Sequence, residues 1–549
     1  MIGYACKYTP LELIRAFGGN PVPINESVDS FETADRICPG NLCSYSRALV
    51  ETIYTRGIKE LFLVNCCDSI RRCYDILLAD GKLDFIFLMD LPHCENYCAQ
   101  NRLRSELLRF YVEYGAYRGA GFDPVEFQSA FSPLFTLPEE PFVAITGARI
   151  PDNMLATLNE ELPYQILDTT CCGNRQVDKV PSQLSGFDAS AYAVELLAQI
   201  PCMRMEMPRE LSELFGHPNL AGIIYHTVAF CDYYSFEYEQ LRKNTKSPLL
   251  KLESDYHTGT DGQLRTRLQA FSEGLGYRAV PCKKENAMGK YVAGIDSGST
   301  TTNITVLDFS KNLCGSATVR TGPKAAIGAQ KALDAVLAQM GIDVSELAYM
   351  VATGYGRENI EFVDGAMTEI SCHAQGAYHL YPKARTIIDI GGQDSKVIRL
   401  NDNGSIENFV MNDKCAAGTG RFLEMMAHTL ELDMGTMSKK GLSWQKELTI
   451  SSVCTVFAES EVISLIADNH TEQDIIHGLN LAVAGKTCSL VHRAGGSPPY
   501  MMTGGVARNL GLVETLKQKL GEPVWIAPDP DLCGAIGAAL FALDAVLDS

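Results

Sequence analysis

Short apolar runs alternate with longer amphipathic segments through the first half of the chain. Residues 60–64, 83–88, 142–145 and 221–225 are such runs, and runs of this length between helical patterns predict buried strands. Strands separated by helices are joined by right-handed crossovers into parallel sheets. The first half is therefore predicted to be α/β, with Rossmann-like parallel-sheet subdomains.

The pattern changes between residues 274 and 291. A helical pattern ends near 273–276, a charged stretch occupies 283–286, and a new apolar strand begins at 290. A chain of 549 residues is too long for a single hydrophobic core. We therefore predict two domains, 1–285 and 290–549. In the second, a strand–turn pattern at 291–302 recurs at 386–398, which indicates two lobes.

The composition and net charge of the chain indicate which classes of protein it can belong to. Hydrophobic residues make up 46% of the chain and charged residues 21%, which is typical of a folded soluble protein. The most apolar stretch, 534–547, contains Asp544 and predicts a packed helix instead of a membrane span. The first residues lack the features of an export signal. A net charge of −19 argues against nucleic acid as a partner. We expect a cytoplasmic protein.

The chain has nineteen cysteines, and thirteen of them lie at or before Cys282. The count is odd, and a reducing cytosol disfavours disulfides, so metal or cluster ligation is the better explanation for many of them. Buried cysteine also serves as a small apolar residue. Cys314, Cys488 and Cys533 stand in core-like sequence and are assigned to that second class.

Three glycine-containing loops predict a nucleotide site in the second domain. The first two, 295–302 and 388–396, each join two strands, so their N–H groups and hydroxyls can hold phosphate while a carboxylate lies near hydrated Mg²⁺. The third, 502–509, opens an amphipathic helix and could seat adenosine. The candidate catalytic residues are Asp296, Gln393 and Asp394; the candidate nucleotide-binding residues are Gly298, Ser299, Thr300, Thr301, Gly391, Gly392, Gly504 and Gly505.

These loops resemble those of the acetate and sugar kinase/Hsp70/actin superfamily, which implies a two-lobed ATPase fold. Two cysteines distinguish this half from kinases and chaperones. Cys415 lies just before a predicted helix and Cys454 opens another, positions where the helix dipole favours a thiolate. A [4Fe–4S] cluster usually needs four thiolates, and a two-fold axis through a homodimer would supply the other two.

With this cysteine pair and the 389–394 motif, the second half resembles the activator (archerase) component of 2-hydroxyacyl-CoA dehydratases and the related ATPase subunits of benzoyl-CoA reductase. The resemblance implies that ATP hydrolysis drives a low-potential electron out of a shared [4Fe–4S] cluster. Gln393 stands where chaperone relatives carry a further glycine, so transfer of phosphate to a substrate is not expected. Tyr355 and Arg357 resemble the activators' loop without an assigned role.

The first half resembles the cluster-binding subunits of 2-hydroxyacyl-CoA dehydratases and also the double-cubane cluster proteins of that superfamily. The resemblance implies Cys43, Cys67 and Cys231 as ligands of a [4Fe–4S] cluster with one open iron. A double-cubane [8Fe–9S] cluster would need about three more thiolates, for which Cys38, Cys171, Cys172 and Cys202 are the pool; Cys172 and Cys202 are retained as candidate ligands. His226, near Cys231, is expected to be structural.

Two classes of function remain open. The first is an ATP-dependent iron–sulfur reductase or activase that takes electrons from reduced ferredoxin or flavodoxin and acts on an acyl-CoA or another small, hard-to-reduce molecule. Its exposed shared cluster implies oxygen sensitivity and an anaerobic setting. The second is an ATP-binding kinase-like or regulatory protein with structural metal sites. Iron and acid-labile sulfide in the purified protein would discriminate between them.

Overall fold

Parallel pairing organises the first part of the chain, because its central strands are buried along their whole length and must be covered on both faces. All five residues of β3 and all six of β5 are buried. The computed structural model describes residues 1–132, 137–180, 187–199, 202, 205, 214–245, 247–259, 262–276, 289–412, 418–450 and 455–547.

Two four-stranded sheets form in this part, with orders β2-β1-β3-β4 and β6-β5-β7-β8, and every strand pair in them is parallel. The predicted parallel-sheet subdomains are confirmed. The strands are β1 (Ile2–Tyr4), β2 (Pro21–Pro23), β3 (Glu60–Val64), β4 (Phe85–Met89), β5 (Phe142–Gly147), β6 (Gln165–Asp168), β7 (Leu220–Val228) and β8 (Leu249–Ser254).

Helices follow most of these strands. They are α1 (Leu11–Ala16), α2 (Glu32–Ile37), α3 (Ser44–Thr55), α4 (Asp68–Asp80), α5 (Tyr97–Arg118), α6 (Pro124–Ser129), α7 (Asp152–Glu161), α8 (Ala189–Leu197), α9 (Asp232–Asn244) and α10 (Gly262–Gly274).

The second part contains two five-stranded sheets built to one plan, with orders β11-β10-β9-β12-β13 and β16-β15-β14-β17-β18. In each, three antiparallel strands come first and two parallel strands complete the sheet. This confirms the predicted lobes. The strands are β9 (Tyr291–Ser297), β10 (Thr301–Asp308), β11 (Leu313–Arg320), β12 (Leu347–Thr353), β13 (Gly365–Ala366), β14 (Thr386–Ile390), β15 (Ser395–Leu400), β16 (Ile406–Asn412), β17 (Tyr500–Thr503) and β18 (Val524–Ile526).

The helices of the second part cover these sheets. They are α11 (Ala325–Met340), α12 (Glu369–Leu380), α13 (Gly420–Thr429), α14 (Met434–Lys440), α15 (Thr455–Ala467), α16 (Glu472–Ala494), α17 (Leu510–Leu520) and α18 (Cys533–Leu547).

The helix α18 is strongly apolar and packs closely in the first lobe. A Cβ on Gly294 of β9 would lie 2.1 Å from the carbonyl oxygen of Ala535, and one on Gly537 would lie 1.8 Å from that of Cys372 in α12. Among the described residues one segment, Pro530–Leu547, is long and apolar enough to cross a membrane, but 72% of it is buried inside the protein. The predicted packed helix is therefore observed.

By its internal contacts the chain divides into two units, Met1–Leu268 and Gln269–Ser549. The division falls inside α10, so the last turns of that helix belong to the second unit. Of the three cysteines assigned to the core, Cys533 is buried and Cys488 is half-buried. The assignment of Cys314 is wrong: it lies on β11 with its side chain exposed, because its strand is at the edge of the sheet.

Candidate functional site

The two glycine hairpins and the third glycine loop open into one cavity of about 590 Å³. Gln393 does not line this cavity and is exposed, so its catalytic role stays a prediction. The structure brings the other ten sequence-predicted residues together around the cavity: Asp296, Gly298, Ser299, Thr300, Thr301, Gly391, Gly392, Asp394, Gly504 and Gly505.

The hairpins have matching geometry. The N–H of Gly298 donates to the Thr301 carbonyl over 3.0 Å, and the N–H of Gly391 donates to the Asp394 carbonyl over 3.0 Å. Their tips meet, since a Cβ on Gly392 would lie 2.5 Å from Oγ1 of Thr300. The backbone and hydroxyl donors of both hairpins therefore face one small volume, which suits a chain of phosphates.

Gly504 fixes the third loop against the second hairpin. Its φ of +81° is in the region that favours glycine, and a Cβ would lie 2.5 Å from the Ile390 carbonyl oxygen. After Gly505–Arg508, the helix α17 begins with Asn509 as its N-cap, whose side chain accepts from the N–H of Leu512. The loop thus brings a helix start to the cavity wall, as the sequence predicted.

A buried lysine lies among three carboxylates on one side of the cavity. Nζ of Lys396 is 2.6 Å from Asp394 Oδ2, 3.3 Å from Asp389 Oδ2 and 3.4 Å from Glu369 Oε2. Burial lowers the pKa of Lys396, but the three carboxylates outweigh it and hold the pKa well above the usual value. Within the described part of the chain, the second oxygen of Glu369 is buried without a hydrogen-bond partner.

His373 of α12 lies between the aspartates of the two lobes. Its Nε2 is 3.9 Å from Asp296 Oδ2 and its Nδ1 is 3.6 Å from Asp389 Oδ1, which also accepts from Thr503 Oγ1 over 2.9 Å. Burial raises the pKa of Asp296, whereas His373 and Lys396 overcome burial and lower that of Asp389. Asp296 is thus the carboxylate that most needs a further cation, and this donor set fits Mg²⁺ with a nucleotide.

Sequence reasoning missed His373, Lys396 and Glu369. Lys396 lies inside the second motif, but its apolar neighbours on β15 indicate only that it is a strand residue. His373 and Glu369 come from α12, which carries no motif, and only the fold brings them to the cavity. Tyr355 also reaches the site: its hydroxyl donates to Asp394 Oδ2 over 3.2 Å.

A second cavity, of about 100 Å³, lies in the N-terminal unit and is lined by eight cysteines. Three of the predicted ligands are N-cap residues: Cys43 of α3, Cys67 of α4 and Cys231 of α9. Cys38, Cys94 and Cys98 do not line the cavity. The structure brings all five candidate ligands together with three cysteines that sequence reasoning did not select: Cys6, Cys43, Cys66, Cys67, Cys171, Cys172, Cys202 and Cys231.

The cysteines divide between two apolar clusters. Cys43, Cys67 and Cys231 pack in the cluster around α3, and Cys6, Cys171 and Cys202 pack in the cluster around α5. No three His, Cys, Asp or Glu side chains in the described ranges form a site for a single metal ion. The eight cysteines nevertheless line one cavity.

Paired cysteines and a buried arginine lie at this cavity. The neighbouring Cys66 thiol lowers the pKa of Cys67, and Cys172, whose sulfur is 3.7 Å from that of Cys171, lowers the pKa of Cys171. Burial raises the pKa of Cys231 to about 12. The Arg149 guanidinium donates to the Cys172 sulfur and lies 3.8 Å from the centroid of the Tyr45 ring. The charge of Arg149 also lowers the pKa of Cys171.

His226 is not part of either site. It is fully buried, with Nδ1 3.1 Å from the Ala148 carbonyl oxygen and Nε2 3.0 Å from Ser254 Oγ, and burial lowers its pKa to about 4. The expectation that it is structural agrees with this position.

Cys415 and Cys454 lie outside the described residues. The helices that follow them are described: α13 begins at Gly420 and α15 at Thr455. The N–H groups of Gly420 and Arg421 donate to the carbonyls of Gly391 and Gly392 over 2.9 and 2.8 Å. The start of α13 is therefore hydrogen-bonded directly to a hairpin of the nucleotide cavity.

Comparisons with known proteins agree with this division. Residues 293–542 match the model of the BadF/BadG/BcrA/BcrD ATPase family, and residues 6–132 and 136–275 match that of the 2-hydroxyglutaryl-CoA dehydratase D-component. The chain thus joins a D-component-like part to an ATPase of the activator type.

Several relatives are named as dehydratase activators. The activator of lactoyl-CoA dehydratase from Anaerotignum propionicum is 47% identical over 255 residues, which are 46% of this chain and 98% of the relative. The (R)-2-hydroxyglutaryl-CoA dehydratase activating ATPase from Acidaminococcus fermentans is 43% identical over 46% of this chain and 98% of the relative. A solved structure, the activator of the 2-hydroxyisocaproyl-CoA dehydratase from Clostridium difficile, is 42% identical over 47% of this chain and 96% of its own, with a TM-score of 0.46.

Proposed function

Because the chain belongs to the BadF/BadG/BcrA/BcrD ATPase family, we propose that ATP hydrolysis in its C-terminal half drives low-potential electrons to an iron–sulfur group in its own N-terminal half. The family match supports ATP and Mg²⁺ in the 590 Å³ cavity. The D-component match supports an acceptor of the dehydratase kind in the eight-cysteine cavity. The substrate is an acyl-CoA or another small molecule that is hard to reduce.

One observation carries the proposal: the bonds from Gly420 and Arg421 to the Gly391–Gly392 hairpin. The hairpin lines the nucleotide cavity, and the sequence that leads into α13 contains Cys415 five residues before Gly420. A change in the phosphates held by the hairpin shifts the carbonyls that these N–H groups contact. The shift is passed to the segment that holds a cluster ligand, which is how a local contact biases a larger element.

In the nucleotide cavity, Asp296 and Asp394 would hold Mg²⁺ through its waters, and the hairpin donors would hold the phosphates. Bound Mg²⁺ neutralises charge that develops on the phosphates during hydrolysis. Lys396 offsets the charge of Asp389, Asp394 and Glu369, so that the empty cavity is not strongly repulsive to ATP. Gln393 is proposed to orient water at the tip of the second hairpin.

In the N-terminal cavity, the number of cysteines favours a double-cubane [8Fe–9S] group over a single [4Fe–4S] cube. A single cube with one open iron takes about three thiolates, and eight cysteines line this cavity. Cys43, Cys67 and Cys231 would hold one cube, and Cys6, Cys171 and Cys202 the other. Cys66 and Cys172 would help to keep the neighbouring ligands Cys67 and Cys171 ionised by lowering their pKa values.

The donor cluster is proposed to be a [4Fe–4S] group shared by a homodimer, with Cys415 and Cys454 from each chain. The argument is ligand number, since two thiolates per chain cannot complete a cube. Reduced ferredoxin or flavodoxin would supply its electrons, and the cluster would be oxygen-sensitive. The protein is proposed to work in the cytoplasm.

Metal analysis of anaerobically purified, cluster-reconstituted protein tests the proposal. We expect acid-labile sulfide and iron in two spectroscopically distinct groups, and ATP hydrolysis at the C-terminal site. The matched control is Cys314→Ser, because Cys314 is exposed and lines neither cavity. Colourless protein after reconstitution would overturn the proposal in favour of a kinase-like or regulatory protein.

A further inference from the structure

The helix α10 crosses the division between the two units. The D-component match extends to residue 275, yet from Gln269 onward the chain packs within the ATPase unit. A short piece of dehydratase-like sequence is therefore part of the ATPase body. Two polar side chains of this piece, Gln269 and Glu273, make buried or half-buried hydrogen bonds there.

Gln269 holds an arginine under the loop that carries Tyr355. Nη2 of Arg357 donates to Oε1 of Gln269 over 2.7 Å, and Nη1 donates to the Gly354 carbonyl over 3.2 Å. Arg357 is 7% exposed. One terminal nitrogen of the guanidinium thus bonds the loop, and the other bonds α10 and lies 3.5 Å from Glu358 Oε1, so Gln269 helps to hold Arg357 against the loop.

This loop touches both metal-side carboxylates of the nucleotide cavity. Gly354 has φ +84°, and a Cβ there would lie 2.8 Å from Asp296 Oδ1. The N–H of Gly356 donates to the Ser297 carbonyl over 3.1 Å, and the hydroxyl of Tyr355 donates to Asp394. A displacement of the loop therefore moves the surroundings of Asp296 and Asp394 together.

Glu273 acts on a second wall of the same cavity. It accepts from the N–H of Thr368 over 3.2 Å and from the hydroxyls of Thr368 and Ser371. Thr368 is the N-cap of α12, the helix that presents Glu369 and His373 to the cavity. A carboxylate at the N-terminus of a helix is also favoured by the helix dipole.

We propose that Gln269 and Glu273 of α10 are positioning residues for the nucleotide site, acting through Arg357 and through the N-cap of α12. The inference rests on the proposed ATP site. It means that the end of the dehydratase-like sequence completes the ATPase, so nucleotide binding and the conformation of α10 depend on each other. Such a dependence is reciprocal by thermodynamic linkage.

Steady-state ATP hydrolysis by the full chain, purified anaerobically, tests this inference. Gln269→Ala should raise KM for MgATP by about tenfold, the effect of losing one hydrogen bond to a charged group. The kcat should change by less than about twofold. The loop forms a wall of the cavity both before and during hydrolysis, so it contributes equally to binding MgATP and to the transition state. Gln269→Glu keeps an acceptor for Arg357 and should restore the wild-type KM.

A double-mutant cycle separates positioning from general destabilisation. If Gln269 acts through Arg357, adding Gln269→Ala to Arg357→Ala should raise KM no further, since the contact is already lost.

Glu273→Gln replaces one of two accepting oxygens by an amide and should lower kcat by about tenfold with unchanged iron content. The matched control is Arg265→Ala on the same helix, whose partners Glu160 and Glu161 belong to the N-terminal unit.

Each possible result either supports or contradicts the proposed roles of Gln269 and Glu273. Wild-type KM in Gln269→Ala, or additive effects of Gln269→Ala and Arg357→Ala, would overturn the role of Gln269; wild-type kcat in Glu273→Gln would overturn that of Glu273. An equal effect of Arg265→Ala would show that any damage to α10 suffices. If the wild-type chain hydrolyses no ATP, the proposed function is wrong as well. If the wild-type chain hydrolyses ATP and the variants behave like it, only the role of α10 is wrong, so the two failures can be told apart.

Discussion

Lys396 lies directly opposite Asp389 in the register of β14 and β15, with Nζ 3.3 Å from the carboxylate. The equivalent pair in the first lobe is Asn303 opposite Asp296. The two lobes therefore differ in charge at matching positions. Asp389 shares the cation Lys396 with Asp394 and Glu369, whereas Asp296 has an amide as its cross-strand neighbour, and this difference supports the proposal that Asp296 takes part in holding Mg²⁺.

Removing the lysine should destabilise the ATPase half. In Lys396→Met, three carboxylates share a buried site without their cation, and breaking a buried ionic contact in this way costs about 3–5 kcal/mol of unfolding free energy. Denaturant unfolding of the full chain measures it. The control, Lys331→Met on the exposed face of α11, should change the free energy by less than about 0.5 kcal/mol. Equal stability of the two variants would contradict the role of Lys396.

Replacing the metal-side carboxylates should stop hydrolysis without disturbing the clusters. Asp296→Ala or Asp394→Ala is expected to lower the ATPase rate by at least about a hundredfold, because charge stabilisation at the phosphates is lost. Iron content should stay at the wild-type level, since neither carboxylate is a proposed cluster ligand. Iron loss in parallel with the loss of activity would show instead that the variants unfold the domain.

The N-terminal ligands should be separable from ATP hydrolysis. Ser in place of Cys43, Cys67 or Cys231 should remove the N-terminal cluster signal and keep the ATPase rate, because a serine oxygen is a poor ligand for iron–sulfur groups. Cys6→Ser should remove part of the iron if a double cubane is present and none if there is a single cube. A variant with full iron would remove that cysteine from the ligand set.

Parts of both sites were predictable from local sequence, because each hairpin or cap is set by neighbours along the chain. The residues of the motif at 388–396 determine its turn. Cys67 and Cys231 each follow an apolar strand, and the end of each strand is evident from the sequence. Cys6 was missed because β1 has only three residues, too few for a pattern. His373 of α12 and Gln269 of α10 reach the nucleotide region through tertiary packing, which no local motif encodes.

Acid should weaken the N-terminal unit through His226. Burial lowers its folded pKa to about 4 from an ordinary value of 6.5, so the unfolded chain binds a proton first as the pH falls. Stability is therefore full above pH 6.5 and is lost progressively toward pH 4, by up to about 3 kcal/mol. Unfolding measured between pH 7 and pH 4 should show a shallower loss in His226→Gln. An unchanged slope would contradict this assignment.

The donor cluster, which we propose to be shared between two chains, predicts a dimer joined at the ATPase halves. Native mass analysis of anaerobic protein should give two chains and one [4Fe–4S] group bound by Cys415 and Cys454 of each. The Cys415→Ser, Cys454→Ser double variant should lose that group and still bind nucleotide, because Gly391 and Gly392 remain in place. A monomer that carries a full cluster in its C-terminal half would contradict the shared site.

Freeze-quench EPR of the N-terminal group is the most direct test of ATP-driven electron transfer within this protein. The dithionite-reduced, anaerobic protein is mixed with MgATP, and the spectrum is compared with that of Asp296→Ala treated in the same way. We expect the N-terminal signal to change only in the wild-type protein and only with hydrolysable ATP. An equal change without ATP, or in Asp296→Ala, would contradict it.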